Sequence, residues 1–181
     1  TGVFAAVMGL WRGVDGADLR AMEELSANPI IEGWTTNPSL MKKAGIKRYK
    51  DFALAVLNLT DKPVSFEVLA DDWEGMYAQA YEIASWGENV YIKIPITNTR
   101  GESSINLIDD LQDLQLNVTA VMTYSQINAL SKVTRSHHII SVFAGRIADS
   151  GVIPTVTVTS SAMHAHKVGA KILWASARQV L

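Results

Sequence analysis

One lysine stands among apolar side chains in the stretch NVYIKIPIT, residues 89–97, where Lys93 is surrounded by Val90, Tyr91, Ile92, Ile94 and Ile96. Burial disfavours a charged ammonium and lowers its pKa. An amine made neutral in this way can attack a carbonyl and form a Schiff base. The alternative is a lysine whose stem packs while its ammonium reaches solvent. Glu67 and Asp15 could move protons for such an amine, directly or through water, or could pair with it in a core ion network. Arg146 and Arg178, with Ser176, supply two guanidiniums and a hydroxyl, a donor set suited to phosphate. Each arginine taken singly reads as a surface ion pair. His137, His138, His164 and His166 lack the i,i+4 spacing of a helical metal site, so no metal is expected.

These residues need a scaffold that gathers them. Short apolar or β-branched runs recur along the chain: GV before Asp15, then 30–35, 63–68, 89–95, 116–122, 138–143 and 171–176. Helical stripes lie between them, such as Leu19, Met22 and Leu25, or Trp73, Met76, Tyr77 and Ala80. Further stripes run through Ile105, Ile108 and Leu111, and through Ile127 and Leu130. Asp72 and Ser125 are expected as helix N-caps and Gly45 as a helix stop. Strands alternating with helices predict βαβ units and parallel pairing. The seven runs fit a TIM-type (β/α)8 barrel whose eighth βα unit is missing from this chain. A doubly wound sheet is the rival, but no glycine-rich first turn is present. The segment IPTVTVTSSAMHAH, residues 153–166, fits worst, because β-branched residues stand where a crossover helix belongs.

In such a barrel chemistry sits at the carboxyl ends of the strands. Those ends read Asp15; Thr35, Thr36 and Asn37; Glu67; Lys93; Asn117 and Thr119; Ser141 and Arg146; Ser176 and Arg178. A barrel without chemistry would fill its inner layers with Val, Ile and Leu. Trp34 and Trp174 read as packing. Asn58 and Asn117 begin glycosylation-type triplets, but the second lies in an expected strand and neither is read as modified.

Composition narrows the class further. The chain has 181 residues, 48% of them apolar and 19% charged, with a formal net charge of −2. A single globular domain over residues 1–181 is expected, with no basic excess to suggest nucleic acid. The absence of cysteine excludes disulfides and thiolate metal sites and fits a cytoplasmic protein. No apolar run reaches the ~18–20 residues that span a bilayer, and TGVFAAVMGLW lacks the basic leader of a signal peptide.

The blocks VDGAD (14–18), GWTTNPSLMKKAG (33–45), VSFEVLADD (64–72), VYIKIPIT (90–97), LNVTAVMTYSQ (116–126), SVFAGRIADSG (141–151) and LWASAR (173–178) occur in that order. Together they resemble the short transaldolases, the group that also contains fructose-6-phosphate aldolase. The resemblance runs from about Val14 to Arg178. It implies a (β/α)8 barrel, a Schiff-base lysine at Lys93, and no cofactor. Asp15 would be the acid/base at the C4 hydroxyl, and Glu67 with Thr119 would position the catalytic water. Thr35 and Asn37 would hold a dihydroxyacetone unit, with Asn117, Ser141 and Phe143 lining the pocket, while Arg146, Ser176 and Arg178 take the phosphate. The activity implied is transfer of dihydroxyacetone between sugar phosphates. The alternatives are a stand-alone aldolase of the fructose-6-phosphate type and a non-catalytic phosphosugar-binding barrel. Transaldolases are similar to this chain in Glu67 and Phe143, where the aldolases carry Gln and Tyr. Val142 stands where the family has proline, Ala148 stands where it more often has Asp, and LWRG replaces its apolar first strand. The short members often form pentamers stacked as decamers, so a homo-oligomer is implied if the last strand and helix are present.

Overall fold

The computed structural model describes residues 13–175. By internal contacts the described residues divide into two compact units, residues 13–93 and 94–175. Four strands belong to the first unit or reach its border: β1 (Gly13–Asp15), β2 (Gly33–Thr35), β3 (Val64–Glu67) and β4 (Val90–Pro95). Each pairs in parallel with the next, in the order β1-β2-β3-β4. A doubly wound sheet would place its first strand in the middle, so this order excludes the rival. The helices between are α1 (Leu19–Ser26), α2 (Pro38–Lys43), α3 (Tyr49–Leu57) and α4 (Trp73–Ala84). β1 forms despite the polar LWRG lead-in, and its ladder continues where Gly16 N–H donates to the Thr35 carbonyl at 3.0 Å.

β2 is shorter than the apolar run 30–35 suggests. The Asn28 side chain accepts from Ile30 N–H at 3.0 Å and the Asn28 carbonyl from Ile31 N–H at 3.2 Å, so a local turn takes those amides before a ladder can. Asp18 and Asp72 cap α1 and α4 through their side chains, the second as expected. α2 ends at Lys43, and Gly45 follows with φ +71°, a left-handed geometry that glycine adopts without a Cβ clash.

The second unit carries β5 (Leu116–Val121), β6 (Ile139–Phe143) and β7 (Lys171–Ala175), parallel and again in chain order. Its helices are α5 (Ile105–Asp110), α6 (Tyr124–Leu130), α7 (Ala144–Asp149) and α8 (Thr155–Val168). Two expectations change here. The N-cap of α6 is Thr123, not Ser125. Thr123 accepts from Gln126 N–H at 3.2 Å while the Gln126 side chain accepts from Thr123 N–H at 3.0 Å, a capping box that outcompetes a lone serine. The awkward segment 153–166 lies almost wholly in α8 and its lead-in, fourteen residues of regular helix closed by Gly169 at φ +79°. Thr157, Ser161 and Ala165 are buried at i, i+4 and i+8, so packing of that stripe overrides the weak helix propensity of the β-branched residues.

His138, at the entry to β6, is fully buried, and its Nδ1 accepts from Arg135 N–H at 3.2 Å. Burial, then the neighbouring His137 and Arg135, lowers its pKa to about 4. A lowered folded-state pKa contributes stability that is complete above the ordinary imidazole value and lost as pH falls through about 4. His138→Gln keeps an acceptor without titrating. Urea unfolding at a series of pH values should show wild type losing stability faster than the variant on acidification, the slopes differing by up to about 1.4 kcal/mol per pH unit.

Candidate active site

Parallel register decides which side chains share a face. Asp15 lies opposite Thr35, Thr35 opposite Ser65, Ser65 opposite Tyr91, and Glu67 opposite Lys93. Side chains alternate along a strand, so all six occupy one face, with Glu67 and Lys93 one step further along than the Asp15–Tyr91 row. Lys93 is only 7% exposed. Its Nζ lies 3.4 Å from Glu67 Oε2 and donates to the Thr36 carbonyl at 3.2 Å. The ammonium therefore does not snorkel, because its tip is buried and partnered along with its stem.

Glu67 is held above the ordinary carboxyl range. Burial is the main cause, the charge and hydrogen bond of Lys93 oppose it, and the negative charge of Asp15 adds to it. A carboxyl that retains its proton more readily, 3.4 Å from a lysine amine, is equipped to pass protons at that amine. Asp15 is exposed, and its carboxylate accepts from the Thr35 hydroxyl. In VDGAD the two acids have separate duties. Asp18 accepts from Arg20 and Ala21 N–H at 3.0 and 3.2 Å and caps α1, which leaves Asp15 facing the row. Asn37 accepts from Leu40 N–H at 2.9 Å and so caps α2 through its oxygen. Its side-chain amide N–H groups have no partner among the described residues and are available to a ligand hydroxyl. A shallow cleft of about 390 Å³ lies beside α2 and α3, lined by Met41, Lys42, Ile46, Tyr49 and Leu69 among others, but Lys93 and Glu67 do not line it.

The second unit holds its own polar group. Ser141 donates to Asn117 Oδ1 at 2.6 Å, both buried on adjacent strands. Thr119 is 2% exposed and its hydroxyl has no partner among the described residues. The carbonyl of Thr119 accepts from Ile96 N–H at 2.9 Å. Ala120 follows with φ +60°, where the β5–β6 register breaks in a bulge. A left-handed alanine costs about 1 kcal/mol and is seen only where surroundings enforce it. The bulge re-aims the chain beside Thr119. Phe143 is half-buried at the end of β6, and Arg146 is exposed on α7. Ser176 and Arg178 lie outside the described residues.

Sequence reading passed over two contributors. The Thr36 carbonyl takes the Lys93 ammonium, and the Tyr49 hydroxyl donates to the Glu67 carbonyl at 2.8 Å. A main-chain acceptor carries no residue-type signal, and Tyr49 opens a helix eighteen residues before the strand end it touches. Thr36 was marked only as a polar strand-end residue, and nothing in the local pattern could have marked Tyr49.

Parallel strands in chain order, each followed by helix, with polar residues at their carboxyl ends, define an enzyme-type α/β scaffold of the (β/α)8-barrel class. The sequence profile of the Transaldolase/Fructose-6-phosphate aldolase family matches residues 13–181, and the chain belongs to that family. A probable transaldolase of Methanococcus maripaludis strain S2 is 35% identical over 138 residues, 76% of this chain and 62% of the relative. Another from Thermoanaerobacter sp. strain X514 is 37% identical over 139 residues, 75% of this chain and 61% of the relative. A third, from Thermoplasma acidophilum, is 34% identical over 124 residues, 67% of this chain and 54% of the relative. The match to the first of these thus spans 62% of its length.

Proposed function

We propose that this chain transfers a dihydroxyacetone unit from a ketose phosphate to an aldose phosphate through a Schiff base on Lys93. The observation that carries the reading is the buried Lys93 amine in contact with a carboxyl whose proton affinity is raised. A purely structural ion pair could be replaced by apolar residues at little cost, and family membership favours the chemical use of this one.

The neutral amine adds to the substrate carbonyl, and loss of water leaves an iminium. The Asp15 carboxylate takes the proton of the C4 hydroxyl. The C3–C4 bond breaks, its electron pair flows into the iminium, and an enamine remains while the aldose phosphate departs. An acceptor aldehyde reverses these steps, and water then frees the product. Glu67 with Thr119 handles the water expelled and readmitted at the imine. Thr35 and Asn37 hold the dihydroxyacetone hydroxyls, Asn37 through its amide N–H groups. Asn117, Ser141 and Phe143 line the pocket, and Arg146, Ser176 and Arg178 take the phosphate. A cytoplasmic location and a homo-oligomeric state belong to the same reading. Among the described residues no helix is long and apolar enough to cross a membrane.

Transfer is favoured over release because Phe143 offers no hydroxyl to protonate the enamine carbon. Lys93→Arg should lower turnover by at least a thousandfold, since a guanidinium stays protonated, while sugar-phosphate binding by calorimetry changes little. Free dihydroxyacetone should form slowly without an acceptor aldehyde in the wild type. Phe143→Tyr should raise release relative to transfer, and wild-type release as fast as transfer would make the chain an aldolase.

A further inference from the structure

We propose that Tyr49 is a positioning residue for the Glu67–Lys93 pair, its hydroxyl fixing the main chain of β3 at the point where Glu67 meets Lys93. The inference rests on the reading of Lys93 as the nucleophile. The ladder between β2 and β3 runs from Trp34 N–H to the Pro63 carbonyl at 2.8 Å, then from Thr36 N–H to the Ser65 carbonyl at 3.1 Å. The next rung in that progression would run from residue 38 to the Glu67 carbonyl. Residue 38 already opens α2, where the chain has left the sheet, and as proline it has no N–H to give. The Tyr49 hydroxyl donates to that carbonyl instead, at 2.8 Å. A tyrosine on a neighbouring helix thus satisfies the β3 carbonyl at a point where β2 has already ended.

The ring is held as firmly as the hydroxyl. It meets Phe66 edge to face at 6.2 Å and Trp86 at 5.3 Å, and Phe66 meets Trp86 at 5.8 Å. Phe66 directly precedes Glu67 and points to the opposite face. The aromatic trio therefore grips the back of β3 while Glu67 faces Lys93. The phenol also interacts with the Thr36 side chain, and the Thr36 carbonyl accepts from Lys93 Nζ. Tyr49 so reaches both main-chain segments beside the amine. Burial, reinforced by the charge of Glu67, raises the phenol above its ordinary pKa, and it stays a donor throughout the working pH range.

Tyr49→Phe removes the donor and keeps the ring. The end of β3 then carries a carbonyl without its partner and gains freedom that Glu67 shares. The groups facing Glu67 are Lys93 from β4, Asp15 from β1 and Tyr49 from α3. Burial is the largest influence on its carboxyl, so loosening should move it down toward the ordinary range. The experiment compares full-chain wild type with Tyr49→Phe by kcat and KM across pH and by borohydride trapping with a ketose phosphate. The result expected is a wild-type adduct, a kcat about tenfold lower in the variant, KM within twofold, and an acidic limb of the kcat profile displaced to lower pH. A lowered melting temperature with an unmoved limb and near-wild-type kcat would make Tyr49 merely structural and overturn the inference alone. No adduct in the wild type would overturn the Schiff-base reading and this inference with it.

Discussion

A buried ammonium and a half-buried carboxyl each lose hydration, and only their mutual contact and further hydrogen bonds offset that loss. Lys93 and Glu67 meet this condition because parallel register sets them opposite each other on adjacent strands. A slip of one residue in either strand would turn one of them to the other face and leave an unpaired charge in the core. The register is in turn secured from several sides. The Thr36 hydroxyl donates to the Ser65 carbonyl at 3.1 Å, Val68 N–H to the Lys93 carbonyl at 3.2 Å, and the Tyr49 hydroxyl to the Glu67 carbonyl. The chemistry proposed for this first unit depends on that one juxtaposition.

Around it, polar side chains divide between holding the scaffold and serving the proposed reaction. Asp18 and Gln79 hold: Asp18 caps α1, and Gln79 accepts from Leu69 and Ala70 N–H at 2.7 and 2.9 Å, fixing the loop that leaves β3. Asp15 and Glu67 remain on the face that carries Lys93, and Asn37 caps with its oxygen while its amide hydrogens have no partner among the described residues. In the second unit Gln126 repeats the loop-fixing role of Gln79, accepting from Met122 and Thr123 N–H at 2.8 and 3.0 Å after β5. The left-handed Ala120 and the Thr119 hydroxyl, which has no partner among the described residues, stand just before that loop.

Much of the scaffold was legible because its signals are local and periodic. Short apolar or β-branched runs located the strands, and residue types at their ends named Lys93, Glu67 and Asp15 before any geometry was known. Where reading failed, a competing interaction decided. An asparagine turn shortened β2, a capping box moved the start of α6 to Thr123, and burial of Thr157, Ser161 and Ala165 made a helix from β-branched sequence. The proline at residue 38 was visible in the sequence. That β2 would end short of the Glu67 carbonyl, and that Tyr49 would satisfy that carbonyl, became visible only with the register.

The central claim is that the Lys93 amine forms a covalent imine with a ketose phosphate. Reduction with borohydride in the presence of fructose 6-phosphate, followed by digestion and peptide mass mapping, tests it most directly. The account predicts one stable adduct per chain, located on the peptide containing Lys93 and dependent on the ketose. No ketose-dependent adduct, or an adduct on another lysine with Lys93 unmodified, would contradict it.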